Sequence, residues 1–170
     1  AGSVQIARRT PLSSATRPRA VRPDNTALIL RTSGTTARPK LVPITHRNLI
    51  AMANRLKTWF ALTPDDRILC VTPLYYAQGL KNSLFVPLIL GGSLCCPSRT
   101  AGSDFFAWLA DLKPTWFVAG PTFHRAVLER ARELGRGGFQ HSLRYINSGA
   151  APLPDEVRDG LQDYFGVPVL

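Results

Sequence analysis

The chain is expected to fold as an α/β domain, a mainly parallel sheet flanked by helices, and three observations predict this. Short apolar runs alternate with longer amphipathic stretches, at a repeat of about 20 to 30 residues. The longer stretches carry apolar residues at helical spacing, as at Leu49, Ala53, Leu56 and Phe60. With 170 residues, 45% of them hydrophobic, the chain is long enough to enclose one core. Alternation of this kind is satisfied by parallel strands joined through helical crossovers.

Residues 1–22 are predicted to be a flexible basic linker or arm, and residues 23–170 a folded domain. The first stretch is rich in Arg, Pro, Ser and Ala and lacks periodicity. The residues Pro23-Asp24-Asn25 form a turn signal, and Ala27-Leu28-Ile29-Leu30 reads as a buried strand. A second apolar run begins at Leu41 and ends before Thr45. Thr45 can then cap a helix that runs to about Phe60.

Residues 67–72 read as a strand, and residues 84–90 as a helix stopped by Gly91-Gly92. Residues 93–96 form a short strand and 104–112 a short helix. Residues 115–119 form another strand, followed by a helix with Phe123, Val127, Ala131 and Leu134 on one face. His124 on that helix reads as an ordinary surface or packing residue. Residues 135–138, Gly-Arg-Gly-Gly, read as a flexible turn. Residues 143–147 form a strand. Pro154, Asp155 and Glu156 then favour a helix start, with Val157, Leu161 and Tyr164 on its inner face. Residues 167–170 begin one more strand.

Composition bounds the function. Net charge is +10, from 21 basic and 11 acidic residues. A basic nucleic-acid-binding domain is therefore one reading. The basic residues are scattered, however, and no aromatic residues interleave with them as a stacking platform would require. Nucleic acid is accordingly an unlikely partner. No apolar run reaches the roughly 20 residues of a membrane span. The three cysteines, Cys70, Cys95 and Cys96, sit in apolar runs. They read as buried, reduced thiols of a cytoplasmic protein, with spacing poorly suited to a metal.

Three stretches carry chemistry. The first is Thr32-Ser33-Gly34-Thr35-Thr36-Ala37-Arg38-Pro39-Lys40, a hydroxyl-rich loop between two apolar runs, closed by a lysine. Loop amides, short hydroxyls and an ammonium together suit a polyphosphate. A Walker loop is excluded, because Leu41 rather than Ser or Thr follows Lys40. The second is residues 73–80, Pro-Leu-Tyr-Tyr-Ala-Gln-Gly-Leu, where a strand ends and a ligand crevice of an open α/β sheet would lie. The third is Ser148-Gly149-Ala150-Ala151-Pro152-Leu153, whose small residues allow a flat ligand to approach the backbone.

The first stretch resembles the signature T-S-G-[ST]-T-G-x-P-K-G of AMP-forming adenylate-forming enzymes. These are the acyl-CoA synthetases, luciferases and nonribosomal peptide synthetase adenylation domains. Ala37 and Leu41 depart from it, each standing where that family has or often has Gly. The second stretch resembles P-[LM]-[FY]-H-x-x-G, with Tyr76 at the His position and Gly79 at the closing Gly. The third resembles S-G-[GA]-[AE]-P-[LM]. The resemblance spans roughly residues 22–170.

The resemblance implies a ligase that uses ATP with Mg2+ to adenylate a carboxylic acid. The acyl group then passes to a thiol, on coenzyme A or on the phosphopantetheine of a carrier protein. It assigns Thr32, Ser33, Gly34, Thr35, Thr36 and Lys40 to the ATP phosphates. It assigns Ser148, Gly149, Ala150, Ala151 and Pro152 to adenine, and Tyr76 and Gly79 to the acyl pocket. The family's magnesium carboxylate, ribose-binding Asp and catalytic lysine would follow position 170. The domain is therefore expected to be a partial one, truncated at its C-terminal end, without a complete catalytic set, without a metal ligand of its own, and inactive alone. A non-catalytic nucleotide-binding module remains a further reading, prompted by Ala37.

Overall fold

The computed structural model of the chain describes residues 20–32, 39–97, 104–135 and 139–170. The elements run β1 (Thr26–Arg31), β2 (Leu41–Thr45), α1 (His46–Phe60) and β3 (Arg67–Leu69). A π-helical segment (Gly79–Phe85) then passes directly into α2 (Val86–Leu90). After it come β4 (Ser93–Cys95), α3 (Phe105–Leu112), β5 (Trp116–Ala119), α4 (Pro121–Leu134), β6 (Tyr145–Ser148) and α5 (Asp155–Phe165).

Four strands form a parallel sheet in the order β4-β3-β5-β6. Its two faces follow from the period-2 alternation of side chains. Leu69, Phe117 and Ile146 face one side, where they meet Phe105 and Leu109 of α3, Val127 of α4, and Leu161 and Phe165 of α5. Ile68, Trp116, Val118 and Tyr145 face the other, against Ala53 of α1 and Val86 of α2. Every residue of β5 is buried, as expected for the central strand of a sheet covered on both sides. The expected strand at 167–170 is present as a single parallel bridge, from Val169 to Ile146.

Helix α1 begins where its sequence places the cap. The Thr45 hydroxyl accepts from the Asn48 amide, and the Asn48 side chain accepts from the Thr45 amide. The reciprocal pair satisfies two otherwise orphaned donors. The first helical segment after β3 starts earlier than residue 84. Gly79 opens it because a Cβ there would lie 2.6 Å from the Thr72 carbonyl oxygen, and closer still to that of Pro73. The absent side chain lets the first turn sit against that backbone.

Two expectations of burial are corrected. The run Ala27 to Leu30 is a strand but not a buried one. It pairs antiparallel with β2 in a separate two-stranded sheet, and Ile29 and Leu41 are exposed. Among the cysteines only Cys70 is buried, while Cys95 is half-buried and Cys96 exposed, all three with free thiols. Position accounts for this: β4 is an edge strand, and Cys96 lies one residue past its end.

A buried carboxylate ties the sheet to the turn after α1. Asp66 accepts from Arg144 Nη1 at 2.6 and 2.7 Å, from Thr115 Oγ1 at 2.7 Å and from the Thr63 amide at 2.8 Å. Arg144 also donates to the Ala61 carbonyl at 3.2 Å. Burial alone would raise the Asp66 pKa. The donors, Arg144 and Thr115 foremost, outweigh it and hold the carboxyl below its ordinary 3.8.

Candidate functional site

At the carboxyl edge of the parallel sheet lies a cleft of about 630 Å³. One wall comes from the loop after β3 and the π-helical segment, with Tyr76, Ala77, Gln78, Lys81 and Asn82. The other is the end of β6 and its exit, Asn147 to Ala150, and Thr72 and Leu56 complete the lining. A crevice outside the carboxyl ends of parallel strands is where open α/β sheets hold ligands.

Local hydrogen bonds fix both walls. The Tyr76 amide donates to the Pro73 carbonyl at 3.0 Å, and the Leu80 amide to the Tyr76 carbonyl at 2.9 Å. Thr72 Oγ1 donates to the Val118 carbonyl at 3.1 Å, which joins this wall to β5. The Gly149 amide donates to the Ala119 carbonyl at 3.0 Å, extending the β5–β6 ladder one residue past the strand. Ala150 then turns with φ 72°, a left-handed conformation that costs a non-glycine residue about 1 kcal/mol. The Ser148 hydroxyl is buried at this wall without a hydrogen-bond partner among the described residues.

The second wall is supported from below by a histidine. His124 is fully buried, and its Nε2 donates to the Asn147 carbonyl at 3.2 Å. Burial lowers its pKa from 6.5 to about 4, against the opposing pull of the Asn147 and Ala119 carbonyls. The imidazole is therefore neutral near pH 7. It packs on Phe117, with ring centroids 5.5 Å apart.

The structure thus brings Tyr76 together with Ser148, Gly149 and Ala150, residues 72 to 74 positions apart in sequence. Ala151 and Pro152 are exposed and lie outside the lining. Gly79 is buried behind the wall, where its role is to let the helical segment start. In the hydroxyl-rich loop, residues 33–38 lie outside the described residues, including Ser33, Gly34, Thr35, Thr36 and Ala37. The base of that loop is described. The Thr32 amide donates to the Lys40 carbonyl at 3.0 Å, and the Lys40 amide to Thr32 Oγ1 at 3.1 Å. The two ends are clamped together, and both residues are exposed.

Sequence reasoning passed over Gln78, Lys81, Asn82 and Asn147. The available signal was the polar pair Lys81-Asn82 inside an otherwise apolar stretch. No group of three or more His, Cys, Asp or Glu residues able to hold a metal occurs among the described residues. No helix among them is long and apolar enough to cross a membrane.

Comparison with known proteins agrees with this geometry. The model of the AMP-binding enzyme family matches residues 3–170. The chain is 35% identical over 150 residues to an oxalate–CoA ligase of Arabidopsis thaliana, covering 87% of this chain and 29% of that protein. It is 35% identical over 148 residues to a sulfoacetate–CoA ligase of Cupriavidus necator, covering 87% and 28%. The structure of O-succinylbenzoate coenzyme A synthetase from Bacillus subtilis in complex with AMP superposes with a TM-score of 0.76 at 30% identity. That match covers 88% of this chain and 30% of the other. The chain spans less than a third of the length of these relatives. A family match over nearly all of its residues, a shared fold and a cleft at the sheet's carboxyl edge lead to one conclusion: the chain belongs to the AMP-binding enzyme family of adenylate-forming enzymes.

Proposed function

We propose that this chain supplies the nucleotide- and acid-binding side of an ATP-dependent acid–thiol ligase. In the first half-reaction an acid carboxylate oxygen attacks the α-phosphorus of ATP. The bond to pyrophosphate breaks, leaving an acyl-adenylate. In the second, a thiolate attacks the acyl carbon and AMP departs. Coenzyme A is the favoured acceptor, because the relatives are named as CoA ligases.

The observation that carries the reading is the meeting of the Tyr76–Asn82 wall with the Asn147–Ala150 wall in one cleft. The small residues Gly149 and Ala150 leave room for a flat base at this wall, beside the movable Gln78 carboxamide that lies against Gly149. Tyr76, 57% exposed, stands at the opposite wall for the acid. The clamp between Thr32 and Lys40 closes the loop assigned to the phosphates of Mg–ATP, with the Lys40 ammonium offsetting their charge. The remaining groups for the reaction come from a longer chain, as the length of the relatives supports, and these 170 residues alone do not turn over.

Acid-dependent pyrophosphate exchange in the full-length protein that carries this chain tests the reading. Lys40→Ala is expected to lower exchange by about a hundredfold, the usual effect of losing one preorganised charge contact. Tyr76→Ala is expected to reorder the acids by kcat/KM with ATP affinity nearly intact. Unchanged exchange in Lys40→Ala, or an unchanged ranking in Tyr76→Ala, removes the corresponding assignment.

A further inference from the structure

We propose that Lys81 selects an acid with a second anionic group, a carboxylate or sulfonate distal to the carboxylate that is activated. This rests on the ligase reading above and names its substrate class. Among the described residues, Lys81 is the one charged side chain in the lining of the cleft. It is half-buried on the π-helical segment, and its ammonium makes no ion pair or hydrogen bond with any described residue. With no acidic partner among the described residues, its three N–H donors remain available to a ligand. An anionic ligand group is the complement of those donors.

The neighbours of Lys81 point to the same chemistry. Gln78 and Asn82 bring carboxamides to the same wall, three positions before Lys81 and one after it. Carboxamide N–H groups and an ammonium together make a donor set for a carboxylate or sulfonate. No carboxylate side chain lines the cleft among the described residues, so none of them would repel a dianion or attract an ammonium-bearing acid. The π-helical geometry also has a consequence. Its wider turn changes which side chains share a face, and such segments occur disproportionately at functional sites. Tyr76 lies before the segment and Lys81 within it, and both line the cleft.

The phosphates of ATP are the other source of negative charge, and the experiment separates the two. Malonate, succinate and glutarate are compared with propionate, butyrate and valerate in the full-length protein, wild type and Lys81→Met. Methionine keeps the length and apolar stem while removing the charge. Equilibrium dialysis of each acid is run beside pyrophosphate exchange. The wild type is expected to prefer at least one dianion over its matched monoanion by about tenfold or more, the scale of a charge-assisted contact. In Lys81→Met that preference collapses through loss on the dianion alone, the monoanions stay within about threefold, and the KM for ATP is unchanged. Lys81→Arg retains most of the preference. Equal losses for both acid classes, or a raised KM for ATP, would place the ammonium at the nucleotide and overturn the inference. So would dianion binding that is indifferent to Lys81→Met. Absence of acid-dependent exchange with every acid would overturn the ligase reading instead, while the dialysis still decides the role of Lys81.

Discussion

Gly149 and Gln78 meet across the cleft so closely that a Cβ on Gly149 would lie 2.7 Å from Nε2 of Gln78. The contact is with the far end of a flexible side chain, so a methyl group is accommodated by moving the carboxamide rather than the backbone. Gly149→Ala is expected to leave the thermal midpoint within about 2 °C of wild type. Nucleotide affinity should fall by about tenfold, because the swung amide narrows the space beside the backbone. Differential scanning fluorimetry and a nucleotide titration on the full-length protein check the two halves. A large fall in the midpoint would mean that Gln78 is held more rigidly than its position implies.

Gly79 presents the opposite case. A side chain there meets the carbonyl oxygens of Thr72 and Pro73, which are backbone and cannot swing away. Gly79→Ala is expected to destabilise the fold by about 1 to 3 kcal/mol, the usual cost of overpacking. It should also displace the wall that carries Tyr76 and Lys81, so acid and nucleotide affinities fall together. Chemical denaturation and the two titrations distinguish this from a pocket effect confined to one ligand.

His124 sets a pH dependence. Its pKa is about 4 in the fold, against 6.5 for an exposed imidazole. Below pH 6.5 the unfolded chain takes up a proton that the folded chain refuses. Stability is therefore full at neutral pH and declines as pH falls from 6.5 towards 4, by roughly 3 kcal/mol in the limit. Denaturation midpoints at pH 7.5, 5.5 and 4.5 follow the loss. His124→Gln is expected to flatten this part of the profile while lowering stability at pH 7.5. If the mutant keeps the same slope between pH 6.5 and 4, another group is responsible.

Asp66 acts in a lower window. Its folded pKa lies below 3.8, so its contribution is present above that value and lost as pH falls through the folded value. Asp66→Asn retains an acceptor but removes the charge opposite Arg144. The expected cost at pH 7 is about 2 kcal/mol, on the scale of a hydrogen bond to a charged group. Urea titrations of the variant and wild type at pH 7 measure it. A difference under about 0.5 kcal/mol would show that Arg144 finds equivalent partners elsewhere.

Much of the layered fold was legible because its signals are local. Leu49 and Ala53 lie one helical turn apart, and Thr45 stands where a cap must, so α1 could be placed from spacing and capping alone. The four apolar residues at 27–30 had no such safeguard. A short apolar run looks the same in a central strand and in an exposed hairpin, and only the pairing partner tells them apart. Cys96 was misjudged because the strand expected over 93–96 ends at Cys95, which leaves Cys96 exposed past an edge strand. The cleft was half legible. The small residues after β6 and the tyrosines after β3 marked its two walls. Their meeting, and the place of Lys81 between them, depends on β3 and β6 flanking β5 on opposite sides.

The junction at Thr45 and His46 has no linker: β2 ends and α1 begins with no residue between them. The capping pair with Asn48 locks that joint, and Arg47 ties it to Asp24 at 2.9 Å on the other side of the hairpin. From the cap to Leu56 in the cleft lining, the helix spans roughly 16 Å. The hairpin that holds Thr32 and Lys40 is therefore joined without a linker to a helix whose far part borders the cleft. Under the ligase proposed above, this one helix would set the spacing between the Thr32–Lys40 clamp and the cleft.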